Sequence, residues 1–315
     1  KVMQRLPEVA GDLTVEGPDA LFDGVDGDAD DFTGMLMLRA DVDGSGSLDI
    51  TGFSGGPASV ALFDSGAGAV NTTFTTPEGV PLTVEDTIGD LDVVVDGAGD
   101  AGQTNNTFEF SVGGTEDDED VDTGVVTVDD VENIVINSTN TDDDDPENRV
   151  NTIDDLAGSA IANVDVGGDT ALTFTNPLNL AGGIDFDASD LTGDLTADFT
   201  GAAGNDLITG GDGDDDLTIS AGQDAVDGGA GDDTITNAAG NDLVTLGDGA
   251  DVFTLVSIFA NAPTDIDDVD VITDFGADDA LAYDAGTAPD FSAALTNNGA
   301  CTANSIDISN DGTDT

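Results

Sequence analysis

The sequence predicts an all-β chain, a parallel β-solenoid preceded by a β-sandwich-like N-terminal region, and three observations predict it. Residues 201–254 divide without gaps into six nonapeptides: GAAGNDLIT, GGDGDDDLT, ISAGQDAVD, GGAGDDTIT, NAAGNDLVT and LGDGADVFT. Upstream lie short segments that alternate apolar and polar residues between Asn, Asp and Gly, the pattern of half-buried strands and turns. Apolar residues make up 38% of the chain but aromatics only 5%, with no Trp and one Tyr, so Val, Ile, Thr and small residues must build a thin β core.

Residues 1–130 read as the sandwich-like region. MLMLRADV (35–42) and SLDITGF (47–53) flank the turn signal DGSG, which reads most simply as a hairpin. Asp41, Asp43, Ser45, Gly46 and Asp49 also follow the opening spacing of a helix-flanked calcium loop. Its last position is Gly52 instead of glutamate and no helical pattern flanks it, so the hairpin is preferred. Further strands are expected in PLTVEDTI (81–88), LDVVVDG (91–97), NTFEFSVG (106–113) and GVVTVDDV (124–131). The acidic runs EDDED (116–120) and DDDDP (142–146) read as solvated loops.

From residue 131 to 200 the segments VENIVINS, NRVNTID, ANVDVGG, ALTFTN, GIDFDAS and DLTADFT come at irregular steps, as the rungs of a solenoid leading into the repeats would. Within residues 201–254 the fourth position of every nonapeptide is Gly, the sixth Asp and the eighth apolar. A glycine-rich half tolerates a tight turn that aims carbonyls inward. The half that follows is a very short strand with one inward side chain. Two units make one coil, so alternate units stack at about 4.8 Å and their aspartates form columns. Such carboxylates repel by about 4 kcal/mol per pair at ~4 Å with an effective dielectric near 20, and a divalent cation between coils reverses the sign. Carboxylates mixed with carbonyl oxygens suit Ca²⁺ better than Mg²⁺ or a transition metal. Residues 255–315 read as a β capping segment, VDVITDFGADDALAYD (269–284), followed by a polar tail. Val269 and Val271, then Phe275 and Leu281, are expected to close the core.

Sixty-eight acidic residues against Lys1, Arg5, Arg39 and Arg149 give a net charge of −64 on 315 residues. Nucleic acid and anionic membrane surfaces are excluded as attractive partners, and cations are implied. A halophile's solvated surface is the other source of such acidity. Histidine is absent, which removes Ser-His-Asp and Cys-His catalysis and the H-E-x-x-H zinc motif. Paired carboxylates stay open as catalysts, although nothing singles out a pair. No apolar run is long enough to span a membrane. Cys301 is the only cysteine and reads as a small buried residue; without a disulfide, bound metal is the expected staple of an extracellular chain. The chain begins without Met and no signal-peptide pattern or convincing C-terminal export signal is found, so a processed product or a fragment is expected.

The nonapeptides resemble G-G-x-G-x-D-x-U-x, the calcium-binding repeat of RTX proteins. That resemblance implies a β-roll with about four Ca²⁺ ions. In RTX rolls one coil supplies the carbonyls of positions two and four and the aspartate of position six. The next coil on that edge supplies the carbonyls of positions one and three and its own aspartate. Carried onto this chain, the first site takes Ala202, Gly204 and Asp206 with Ile219, Ala221 and Asp224. The second takes Gly211, Gly213 and Asp215 with Gly228, Ala230 and Asp233. The third takes Ser220, Gly222 and Asp224 with Asn237, Ala239 and Asp242, and the fourth Gly229, Gly231 and Asp233 with Leu246, Asp248 and Asp251. Asp224 and Asp233 would each bridge two ions. The sequence departs from the pattern at Ile219, Asn237 and Leu246 in position one and at Ala202, Ser220 and Ala238 in position two.

The run from VENIVINS through FDASDLTGDLT into GAAGNDLITGG, residues 131–284 with the capping segment, is similar to the C-terminal region of RTX-type bacterial surface-layer proteins. This implies a non-enzymatic structural protein, exported by type I secretion, that self-associates into a calcium-dependent lattice on the cell surface. An RTX adhesin binding a cell-surface glycan is the alternative, with a secreted hydrolase behind it.

Overall fold

The computed structural model describes residues 13–18, 27–28, 36–41, 46–51, 53–54, 58–63, 71–113, 120–140, 149–202, 204–256, 270–284 and 306–307. The two acidic runs fall almost wholly outside these residues, and Cys301, Val269, Gly52 and the turn at 42–45 entirely so. Every regular element among the described residues is a strand, and none of them forms a helix long and apolar enough to cross a membrane. The chain divides into two compact units, Lys1–Thr175 and Asn176–Thr315.

In the first unit the chain crosses back and forth between two parallel sheets. One holds Leu13–Pro18, Leu36–Asp41, Ser59–Phe63, Leu82–Val84, Thr107–Val112, Asn133–Ser138 and Asn163–Gly168 in that order. The other holds Gly46–Asp49, Thr72–Pro77, Leu91–Asp96, Asp122–Val128, Val150–Gly158 and Ala171–Phe174. Alternation puts every second residue inside, so register partners form columns. Val60, Leu82, Phe110 and Ile136 make one, and Leu48, Phe74, Val93 and Val128 another, all buried. Each such side chain contributes roughly 1.5–3 kcal/mol on burial.

The N-terminal hairpin is not formed. Leu36–Asp41 pairs in parallel with Leu13–Pro18 and Ser59–Phe63, and Gly46–Asp49 pairs in parallel with Thr72–Pro77 in the other sheet. A parallel neighbour must lie a whole coil away in sequence, so adjacent strands cannot pair. The interior also carries polar groups. Asn151 donates to the Val112 carbonyl (2.9 Å) and the Ser138 hydroxyl (3.0 Å) and accepts from the Val121 N–H (3.3 Å).

In the second unit one sheet runs Asp185–Leu191, Leu207–Thr209, Ala225–Asp227, Leu243–Thr245 and Val271–Ile272 in parallel, with Ile306–Asp307 antiparallel at its edge. The other runs Leu195–Asp198, Asp216–Thr218, Thr234–Thr236, Val252–Val256 and Ala280–Asp284. The last two irregular rungs thus pair directly with the first repeats. Position eight supplies the core: Ile208, Leu217, Val226, Ile235, Val244 and Phe253 are all buried. Partners Ile208, Val226 and Val244 show that two nonapeptides make one coil. On the outer face of that sheet Leu207 (47% exposed), Leu243 (50%) and Val271 (39%) form an open apolar column with Ala225.

The cap differs from expectation by one residue. Val271 faces outward, whereas Ile272 is buried opposite Val244. Asp270-Val271-Ile272 continues the frame of Asp242-Leu243-Val244, so its third residue points inward. Leu281 pairs with Phe253, partly exposed, and Phe275 is also partly exposed.

Candidate metal centre

Position four explains the invariant glycine. A Cβ on Gly222, Gly231, Gly240 or Gly249 would come within 3.0 Å of the carbonyl oxygen of Gly204, Gly213, Gly222 or Gly231 respectively, one coil earlier. Only a hydrogen fits between stacked turns at this approach.

Position six forms two columns of carboxylates, one on each edge, and all six repeat aspartates are buried. On the odd-repeat edge Asp206 Oδ1 accepts the Ile184 N–H (2.9 Å), Asp224 Oδ1 the Asp206 N–H (2.8 Å) and Asp242 Oδ1 the Asp224 N–H (2.9 Å). On the even-repeat edge Asp215 Oδ1 accepts the Leu195 N–H (2.8 Å), Asp233 Oδ1 the Asp215 N–H (2.8 Å) and Asp251 Oδ1 the Asp233 N–H (2.9 Å). Each aspartate therefore ties its coil to the one before. A backbone dipole offsets part of its charge.

The second carboxylate oxygens differ in what they meet. Ser220 donates its hydroxyl to Asp206 Oδ2 at 2.7 Å and also lies 3.2 Å from Asp224 Oδ2. Asn237 Nδ2 donates to Asp270 Oδ2 at 2.7 Å. On the even edge Asp215 Oδ2 accepts the Gly211 N–H (2.7 Å), but Asp233 Oδ2 and Asp251 Oδ2 are buried with no hydrogen-bond partner.

Such burial has an electrostatic cost. Desolvation pushes Asp233 up to about 7, opposed by the hydrogen bond from Asp215 and reinforced by the charges of Asp215, Asp251 and Asp214. Desolvation likewise pushes Asp215 up to about 6, and it raises Asp224 and Asp251. No Lys or Arg follows Arg149 and the chain has no His, so no side chain of the second unit can neutralise these groups. Protons or a cation from solution must do so.

Among the described residues no group of three or more acidic or thiol side chains converges to hold a metal ion. An ion in a column would take two carboxylates and complete its shell with carbonyls, the donor mixture that suits a hard cation. The expected carbonyl donors line these turns, and several already accept one bond. The Gly211 carbonyl accepts from Ala230, Gly229 from Asp248, Asp248 from Gly231 and Ala239 from Gly222. A carbonyl keeps a second lone pair, so these remain able to ligate. The carbonyls of Gly204 and Gly213 point along the stack at the glycines above them, as Leu246 does toward Gly228. Ile219 and Leu246 bury their side chains completely, so position one can offer only backbone there.

The structure adds residues to both columns. Asp270 Oδ1 accepts the Asp242 N–H (3.1 Å) and Asp279 Oδ1 the Asp251 N–H (3.3 Å). The triplets Asp270-Val271-Ile272 and Asp279-Ala280-Leu281 repeat the Asp-x-apolar end of the nonapeptide and were the signal for them. An outer ladder also runs beside the even column, where Asp194 Oδ1 accepts from Asp214, Asp214 from Asp232 and Asp232 from Ala250. Consecutive aspartates in GDDD and GDD signal it. No family model, no curated protein and no solved structure matches this chain.

Proposed function

We propose that this chain is a secreted, non-enzymatic structural protein of the RTX kind, a surface-layer subunit or a piece of one, whose repeat segment folds when Ca²⁺ binds outside the cell. The observation that carries this reading is the pair of buried carboxylate columns in a segment without a cationic side chain, with Asp233 and Asp251 each keeping an unpartnered oxygen. Those oxygens need a positive partner that the protein does not supply. Ca²⁺ is favoured because the donors are carboxylate and carbonyl oxygens on a flexible glycine-rich edge. A ligand that binds only the folded chain stabilises it by RT ln(1 + [L]/Kd), roughly 2.7 kcal/mol per independent site at a hundredfold excess over Kd. Low calcium inside the cell keeps the segment unfolded and exportable, and high calcium outside folds it. The open column of Leu207, Leu243 and Val271 supports self-association after folding.

The test is circular dichroism with light scattering as Ca²⁺ is raised from chelator into the millimolar range, with Mg²⁺ at equal ionic strength as control. The expected result is a cooperative, calcium-specific gain of β signal followed by growth of ordered assemblies. An equal response to Mg²⁺ or simple salt would mean that charge screening alone folds the chain.

A further inference from the structure

We infer that the capping segment builds one more cation site onto the last repeat, in which Asp251 and Asp274 supply the carboxylates and the turn at Gly247 a carbonyl oxygen. This rests on the calcium reading and adds, to the sites implied by the repeats, one made with a residue outside them.

The register places the cap on the even column. Val252 and Phe253 pair with Ala280 and Leu281, so Asp279 stands one coil beyond Asp251, and its Oδ1 accepts the Asp251 N–H at 3.3 Å. Asp274 lies five residues before Asp279, the spacing of position one to position six, where the even repeats carry Gly210, Gly228 and Leu246. No repeat has a carboxylate at that position.

The Asp274 carboxylate turns back onto the last repeat. Its Oδ1 accepts the Leu246 N–H at 2.8 Å and its Oδ2 the Gly247 N–H at 3.0 Å. In the second repeat the equivalent position-two N–H, that of Gly211, donates to the repeat's own position-six aspartate, Asp215 Oδ2, at 2.7 Å. Asp274 thus holds the donor that Asp251 Oδ2 would otherwise meet. Asp251 Oδ2 is left without a hydrogen-bond partner on a residue that is 0% exposed. Two carboxylates from successive coils therefore converge on one peptide whose single proton serves only one of them. Desolvation raises Asp251, the Asp233 N–H opposes this, and the charges of Asp279, Asp274 and Asp232 add to it.

A neutral donor is released at the same place. In the repeats the position-three N–H donates to the position-two carbonyl one coil below, Ala230 to Gly211 and Asp248 to Gly229, both at 2.9 Å. The equivalent N–H of the cap, that of Gly276, turns instead to its own Asp279 Oδ2 at 2.5 Å, so the Gly247 carbonyl does not receive it. The cap turn also stands off from the last repeat: among the described residues a Cβ on Gly276 would meet only Asp279 within 4 Å, whereas one on Gly247 would lie 2.1 Å from the Gly229 carbonyl of the coil below. Two carboxylates and a carbonyl oxygen around such a space suit a hard cation of flexible coordination, and Ca²⁺ is the ion of that kind the repeats already imply. Bound there, it ties the closing of the last coil to the arrival of calcium.

Native mass spectrometry of the full chain in calcium, paired with isothermal titration, counts the ions, and differences between variants are read. Asp274→Asn is expected to lose one ion, and Asp278→Asn, which removes the same charge from an exposed neighbour, none. If Asp274 only latches the cap through Leu246 and Gly247, Asp274→Asn keeps the full count and melts lower in chelator and in calcium alike, and that result overturns the site. If Asp274→Asn does not fold, the two ends of the column are compared. Asp215 has the buried Leu195 before it and borders one gap between carboxylates, whereas Asp251 borders a second when the cap supplies one. Asp251→Asn is then expected to lose one ion more than Asp215→Asn, and equal losses overturn the proposal. Either overturning result, with ions still lost in Asp233→Asn, leaves the calcium reading standing. No calcium-specific ion in the unaltered chain overturns both.

Discussion

Acidification in chelator should stabilise the repeat segment, and acidification in calcium should weaken its grip on the ion. Asp233 is pushed up to about 7 and Asp215 to about 6 from an ordinary 3.8, in both cases chiefly by desolvation. Between the ordinary and the raised value the folded chain binds more protons than the unfolded chain. Stability therefore falls as pH rises through that window and is lowest above about 7. A full proton of difference corresponds to about 1.4 kcal/mol per pH unit. Partial screening halves this, to roughly 0.7 kcal/mol per pH unit from each carboxyl. Urea unfolding followed by circular dichroism at pH 5, 6, 7 and 8 in chelator, at fixed ionic strength, measures the slope. In calcium the sign reverses, because ligating carboxylates must be ionised, and protons are released on binding near pH 6 to 7. Titration in buffers of different ionisation enthalpy reads that release. Stability in chelator that is flat, or that rises between pH 5 and 8, would refute the assignment of buried, uncompensated carboxylates.

Ile235→Ala, at the centre of a fully buried column, should cost about 2–5 kcal/mol by urea unfolding, whereas Leu207→Ser on the outer face should change folding by less than about 0.5 kcal/mol. Gly231→Ala places a Cβ inside the approach of the Gly213 carbonyl at positive φ, and should destabilise by roughly 1–3 kcal/mol or more, seen as a lowered unfolding midpoint. Asn151→Ala leaves the Val121 N–H without its acceptor, so about 1–3 kcal/mol of first-unit stability should be lost while calcium titration of the second unit stays unchanged. Leu207→Asp with Leu243→Asp should keep the calcium-induced β signal and abolish light scattering, if the open apolar column carries assembly.

What could be read from the sequence followed from how strictly the stacking geometry constrains each position. Position eight must fill a core one side chain wide, and position four must admit a carbonyl from the coil before it, so both showed as invariant residue types. The rungs GIDFDAS and DLTADFT showed by alternation and pair as expected with the repeats. Strands Ser59–Phe63 and Thr72–Pro77 carry the same alternation in SVALF and TTFTTP but lie outside the expected segments. Alternation gives a strand's faces but not its partner. Parallel pairing across a coil and antiparallel pairing across a turn leave the same pattern, and so the hairpin at 35–53 was misassigned. The roles of Ser220 and Asn237 were invisible for another reason: as departures from a repeat they looked like weakened turns, and only geometry shows that each reaches a carboxylate.

These two departures bear on why the columns hold aspartate at all. Every position-six aspartate accepts the preceding coil's N–H, a service that asparagine could give without charge. Where the second oxygen meets a donor, as Asp206 meets Ser220, the charge is compensated within the protein and that coil junction needs nothing from outside. Where it meets none, as at Asp233 and Asp251, the charge raises the energy of the folded state until something positive arrives. An uncompensated buried carboxylate is a poor way to stabilise a coil and an effective way to make its folding conditional. A hydroxyl that reaches the second oxygen, as Ser220 does, thus separates a junction compensated within the protein from junctions, as at Asp233 and Asp251, that respond to the medium.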